Sequence, residues 1–235
     1  MEVDMCGRFA GFTSLEELQT YFPIEVAEIQ VQPNFNVAPT QEILAIAKHK
    51  GKNHLSKYHW GLVPFWSKDV SIGHRLINAR SETAAAKPSF RTAFKKRRCL
   101  IPSNGFYEWK GSKGNKQPMF LTLPSDKPFA FAGLWEMWDN KGKEDTPYYS
   151  CTILTREASA SVQPIHHRMP VILKPEAFEA WLDPNNQDVD FLLNMIQNQI
   201  YTKLKSVPVS KLVNSVKNNG PENIKPIEQG TKPLA

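Results

Sequence analysis

Apolar and polar positions along this chain fall into many short stretches, and their spacing predicts the elements. The segment Ser14-Leu15-Glu16-Glu17-Leu18-Gln19-Thr20-Tyr21-Phe22 reads as a short helix. Ser14 is its N-cap, Glu17 completes a capping box and Pro23 stops it. Residues 34–39 are loop or extended, because residues ahead of a proline avoid the helical region. Strands are expected over 42–47, 58–63, 119–123, 129–135, 148–154, 169–173 and 204–209, where apolar, aromatic and β-branched residues gather. Two more, over 98–101 and 106–109, flank a turn at 102–105. Helices are expected over 81–86, 89–96, 175–182 and 189–200, the third with Pro175 at an early helical position.

Strands fill the middle and helices gather toward both ends. No βαβ alternation runs through the chain, which excludes a doubly wound parallel sheet. The expected fold is α+β: a single domain with a mostly antiparallel, curved, barrel-like sheet flanked by short helices. Residues 110–116 and 140–146 read as polar hairpin loops, too short to link domains. The chain after Val216 reads as irregular, with a flexible tail over 226–235. No internal repeat is present.

Composition narrows the class. Of 235 residues, 41% are hydrophobic and 11% aromatic, which suits a globular core. No apolar run approaches the ~20 residues needed to span a bilayer. Residues 1–4 are acidic and lack the apolar stretch of a signal peptide. A cytoplasmic protein is expected, and Cys6, Cys99 and Cys151 suit a reducing compartment. The net charge of +6 favours an anionic partner. The densest basic run is Lys95-Lys96-Arg97-Arg98, near Lys87 and Arg91, which also reads as a solvated helix end. Trp60, Trp66, Arg75, Arg80 and Phe90 interleave aromatic and cationic groups, the combination that holds single nucleic-acid strands.

Cys6 carries the sharpest chemical question, since it directly follows Met5. At a chain terminus it would offer a thiol and a free α-amine of pKa about 7.7–8.0, against about 10.4 for lysine. Such an amine attacks an aldehyde to give an imine, on which the thiol closes a five-membered thiazolidine. An internal Cys6, its nitrogen held in an amide, does none of this and reads as a buried cysteine. Glu108 sits among Phe106, Tyr107 and Trp109, where desolvation would raise its pKa into the range of a general acid. The alternative is an outward-facing strand residue. His166, beside His167 and Arg168, is suited to proton transfer near neutrality. Asn78 and Arg80 follow two apolar residues, and residues 209–219 form a polar patch of no clear meaning alone. The cysteines are too far apart for zinc-ligand spacing, so neither metal nor cofactor is expected. A cysteine hydrolase built from Cys6, His166 and Asn78 or Glu108 stays open.

Taken together, the motifs resemble the SRAP family, the SOS-response-associated peptidases described as abasic-site processing proteins. The resemblance runs along nearly the whole chain. It is carried by Met5-Cys6-Gly7-Arg8-Phe9, Asn36-Val37-Ala38-Pro39, Trp60-Gly61-Leu62-Val63-Pro64, Ile77-Asn78-Ala79-Arg80-Ser81-Glu82-Thr83, Gly105-Phe106-Tyr107-Glu108-Trp109, His166-His167-Arg168-Met169-Pro170 and Val216-Lys217-Asn218. It implies an SRAP fold over 6–225 and covalent capture of abasic sites in single-stranded DNA by a monomer. The catalytic residues it implies are Cys6, with Asn78 orienting it, Glu108 promoting deoxyribose ring opening, and His166 as acid–base partner. Arg8, Arg80 and Arg168 would hold phosphates and Trp66 would stack near the lesion. Members begin Met-Cys, so residues 1–5 are expected to be a misassigned start or a leader that is removed. Two other classes remain open: a cysteine peptidase acting on its own leader or on other proteins, and a non-catalytic single-strand binding module.

Overall fold

The computed structural model describes residues 6–112, 114–139 and 147–227. The expected leader at 1–5, the hairpin loop at 140–146 and most of the expected flexible tail lie outside these residues. The chain runs through β1 (Phe9–Gly11), α1 (Leu15–Tyr21), β2 (Val26–Ala27), β3 (Asn34–Val37), β4 (Glu42–His49) and β5 (Lys52–Trp60). Next come β6 (Asn78–Arg80), α2 (Ser81–Ala84), α3 (Arg91–Lys96), β7 (Arg98–Ser103), β8 (Gly105–Lys110) and β9 (Gln117–Thr122). Then follow β10 (Phe129–Trp138), β11 (Tyr148–Glu157), β12 (Arg168–Pro170), β13 (Ile172–Leu173), α4 (Phe178–Leu182), α5 (Val189–Asn198) and β14 (Lys205–Pro208).

Two sheets carry the fold, in the orders β14-β9-β8-β1-β3 and β12-β11-β10-β7-β4-β5-β2. Most pairs are antiparallel. The second sheet curls until β5 meets β11 in parallel, through Ser150↔His59 and Cys151↔Trp60. The ring β11-β10-β7-β4-β5 is thereby closed, which leaves those strands without free edges. This is the α+β, barrel-like single domain that the strand pattern predicts.

Strand periodicity sorts the core. In β10, Phe129 and Phe131 join an interior cluster with Cys6, Phe9, Trp60 and Phe106. Ala130, Ala132 and Leu134 face the other way, onto a cluster with Phe94, Trp181 and Leu192 from the helices. The large rings fill the space between the sheets, while the two alanines let the helices lie close. Burying each phenylalanine contributes about 1.5–3 kcal/mol. α1 forms as its cap predicts, with the Glu17 N–H donating to Ser14 Oγ at 3.2 Å.

Three features differ from expectation. The expected turn at 102–105 shrinks to Asn104, since β7 runs to Ser103 and β8 starts at Gly105, and it is a corner between sheets: β7 pairs with β10 and β4, whereas β8 pairs with β1 and β9. Asn104 holds the corner, its Oδ1 accepting from the Phe12 N–H at 2.8 Å. β5 begins six residues before the apolar stretch at 58–63, because the inward position Asn53 is polar yet buried. It ends at Trp60 because Gly61 has φ +135° and approaches Gly73 so closely that a Cβ there would lie 2.6 Å from the Gly73 carbonyl oxygen. The segment after Val216 is not irregular throughout. Asn223 is fully buried, and Val209 bridges Pro226.

Candidate active site around Cys6

β1 is only three residues long, and its place is fixed by its partners. Phe9 pairs with Phe106, and the Tyr107 N–H donates to the Arg8 carbonyl at 2.9 Å. The same antiparallel register brings Glu108 beside the Cys6–Gly7 segment. Alternation along β8 sends Phe106 into the interior cluster that contains Cys6, and Tyr107 to the opposite face. Glu108 shares the side of Phe106, so it points inward and is only 5% exposed.

Burial dominates the electrostatics here. It pushes the Glu108 carboxyl up to about 8, against smaller downward pulls from the Trp109 N–H and Lys116. The Cys6 thiol is likewise pushed up, first by burial and then by Glu108, with the Arg8 N–H opposing. At neutral pH both groups are therefore mainly protonated. Asn78 reaches the same place from β6, its Nδ2 donating to the Cys6 carbonyl at 3.1 Å. Among the described residues, Glu108 Oε1, Asn78 Oδ1 and Arg8 Nε are buried without a hydrogen-bond partner. Buried orphan polar atoms are rare, and the first two, on the residues that meet Cys6, mark a place built to meet something else.

His166 stands two residues before β12, half-buried, next to Ile165, which packs on the Cys6 cluster. The Arg168 N–H donates to His166 Nδ1 at 3.1 Å. The Arg168 carbonyl oxygen lies 3.2 Å from the same nitrogen, so the Arg168 main chain offers Nδ1 a partner in either tautomer.

The candidate phosphate and stacking residues separate. Arg80 is exposed and, by strand alternation, shares a face with Asn78, while Ala79 packs into the helix-side core. Trp66 and its neighbour Phe65 are 49% and 56% exposed. Their loop is tied down by the Trp138 Nε1–H, which donates to the Ser67 carbonyl at 2.9 Å. Arg8 turns inward instead: Nη1 donates to Asn36 Oδ1 at 2.7 Å and to the Val213 carbonyl at 2.6 Å. Arg168 is engaged inside the protein as well. Its Nη1 and Nη2 donate to the Glu82 carboxylate at 2.7 and 2.9 Å, and Nη2 also to the Thr155 carbonyl at 2.8 Å.

The basic run at 95–98 divides too. Arg98 is buried and donates to main-chain carbonyls of Phe94, Lys95, Trp181, Asp183 and Asn186. Arg97 pairs with the buried Glu136 at 2.7 Å. Only Lys95 and Lys96 of the four are exposed. Two important residues carried no chemical signal of their own in the sequence. Asn36 is 1% exposed and its Nδ2 donates to Val213, Ser215 and Asn218 carbonyls, joining β3 to the C-terminal segment. Glu82 is the partner of Arg168.

A thiol, a carboxyl that burial keeps protonated and a fixed amide thus lie together at Cys6, with the exposed Arg80 on the face of β6 that carries Asn78. The chain belongs to the SOS response associated peptidase (SRAP) family, whose family model matches residues 5–216. It is 44% identical to the abasic site processing protein YoqW of Bacillus subtilis (strain 168), over 94% of this chain and 99% of that one. Identity to the abasic site processing protein HMCES of Gallus gallus is 33%, over 96% of this chain and 79% of that one. A crystal structure of a Bacteroides thetaiotaomicron protein superposes with a TM-score of 0.80 at 23% identity, covering 94% of this chain and all of that one. That likeness concerns the fold.

Proposed function

We propose that this chain captures abasic sites in single-stranded DNA through Cys6, acting once per molecule, as a monomer, in the response to DNA damage. The observation that carries the reading is the buried Glu108 carboxyl, held protonated near neutrality beside Cys6. The names of the relatives support the same substrate.

The ring-opened abasic sugar presents an aldehyde at C1′. The α-amine of a terminal Cys6 adds to that carbon. Glu108 delivers a proton to the departing hydroxyl of the adduct, and water leaves as the protonated imine forms. The Cys6 sulfur then adds to the imine carbon, and its proton returns to the Glu108 carboxylate. One water is lost overall and Glu108 is regenerated. Asn78 fixes the Cys6 carbonyl, and His166 moves protons during ring opening. Arg80 and Trp66 hold the strand by phosphate contact and base stacking. A thiol peptidase needs a thiolate. Burial and Glu108 both disfavour one at Cys6, which supports amine-first attack.

The chemistry requires Cys6 to be the first residue, so intact mass and N-terminal sequencing come first. The mature protein is then mixed with single strands carrying one abasic site. A complex that survives denaturant is expected, with none on intact or borohydride-reduced strands and none with Cys6→Ala. Crosslinking by a chain that retains residues 1–5, or on reduced strands, would overturn the mechanism. Cleavage of a peptide bond without DNA, abolished in Cys6→Ser, would favour the peptidase instead.

A further inference from the structure

We infer that Glu82 is a positioning residue that holds His166 in its working orientation through Arg168. This rests on the role proposed for His166 above. Three observations carry it.

The first is the pairing itself. Arg168 meets Glu82 through both terminal nitrogens, and the side chain of Arg168 is only 10% exposed. A planar guanidinium on a carboxylate in this two-point geometry fixes orientation as well as distance. The second is the position of Arg168. It opens β12, a strand of three residues, and its main-chain N–H is the donor to His166 Nδ1. What fixes Arg168 therefore fixes the main-chain groups that meet His166 Nδ1, and with them the place of the ring. The third is topology. β6 lies along one stretch of β11 through Ile153↔Asn78 and Thr155↔Arg80, and β12 pairs with β11 through Thr155↔Pro170. Glu82 stands two residues past Arg80 and Arg168 two before Pro170. The Glu82–Arg168 pair thus spans from the segment bearing Asn78 and Arg80 to the one bearing His166. The pair ties the two elements to each other.

Glu82 is about half exposed, so Glu82→Gln keeps the shape and leaves the core intact. Its crosslinking rate on abasic single strands at saturating protein should fall ~10- to 100-fold, as expected when a reacting group is misplaced. Affinity for intact single strands should stay at the wild-type value, and Glu82→Asp should recover part of the rate. Glu82→Gln combined with His166→Ala should be no slower than His166→Ala alone, because the two changes act through one group. Nitrogen NMR of the His166 ring supplies a readout that needs no activity: the Nδ1 and Nε2 shifts should move in Glu82→Gln as the Arg168 main chain leaves Nδ1. Additive losses in the double variant, or an unchanged ring in Glu82→Gln, would overturn the inference. So would weakened strand binding with a normal rate at saturation, which would make Arg168 a phosphate ligand. If His166→Ala alone reacts normally, the acid–base role of His166 fails while the NMR result still decides the positioning.

Discussion

Raising the pH from 6 to 10 should both weaken the fold and stop the reaction, and replacing Glu108 with glutamine should remove both effects of the carboxyl. The carboxyl titrates at about 8 in the folded protein instead of its ordinary 4.5. Its folded value is raised, so its contribution to stability is fully present below 4.5 and lost as pH rises through 8. Three to four units at ~1.4 kcal/mol each make the complete loss about 4–5 kcal/mol. Kinetically, a solvated carboxyl would be protonated in about one molecule in 3,000 at pH 8, whereas Glu108 is protonated in about half. With the α-amine also about half free there, roughly a quarter of molecules hold both working forms at once.

The rate should therefore describe a bell centred near pH 8, with the acid limb set by the amine and the alkaline limb by Glu108. Glu108→Gln should lower the rate by ~10²–10⁴-fold and erase the alkaline limb. Single-turnover crosslinking across the pH range measures the first effect. Urea melts at pH 6 and pH 9.5 measure the second, with wild type losing stability that Glu108→Gln keeps. An alkaline limb that survives in Glu108→Gln belongs to another group, and the assignment of the acid would then be wrong.

Other expectations follow from the same geometry. Arg80→Ala should weaken binding to all single strands and lower the salt slope by about one, with crosslinking restored at saturating protein. Arg8→Ala should instead reduce folding stability by about 1–3 kcal/mol, since it strips bonds from Asn36 and Val213, and a urea melt will register it. Asn78→Ala should slow crosslinking while strand affinity, read by fluorescence anisotropy, stays unchanged. Gly61→Ala should destabilise the fold by more than ~2 kcal/mol in the same melts. The new methyl would meet the main chain of Gly73 from a backbone conformation that side chains rarely adopt.

Local signals were readable where local physics decides. The Ser14 cap, the aromatic stretch of β10 and the proline-led turn before α4 each announce their element within a few residues. β1 and β6 announce nothing, because three residues carry no period. They exist only through pairing with β8 and β11. The corner at Asn104 reads simply as a turn in the sequence, because turn residues do not say which strands the flanking segments pair with. The inward direction of Glu108 was favoured by its aromatic neighbours and then set by alternation from Phe106. Arg168 could not be placed from the sequence. Its partner Glu82 lies 86 residues away, and an arginine beside two histidines reads equally well as a surface cation.

The bond from Arg8 to the Val213 carbonyl spans 205 residues, and Asn36 reaches across 182 to Asn218. The segment that carries Cys6 is made long before Val213 and Asn218, whose carbonyls anchor Arg8 and Asn36. During synthesis the Cys6 thiol has neither the burial nor the neighbours that set its chemistry. Contacts of such long range also form slowly. Under the proposed function, reactivity toward aldehydes is deferred until residues 213–218 have been made, and a chain cut before them carries the nucleophile without the completed site.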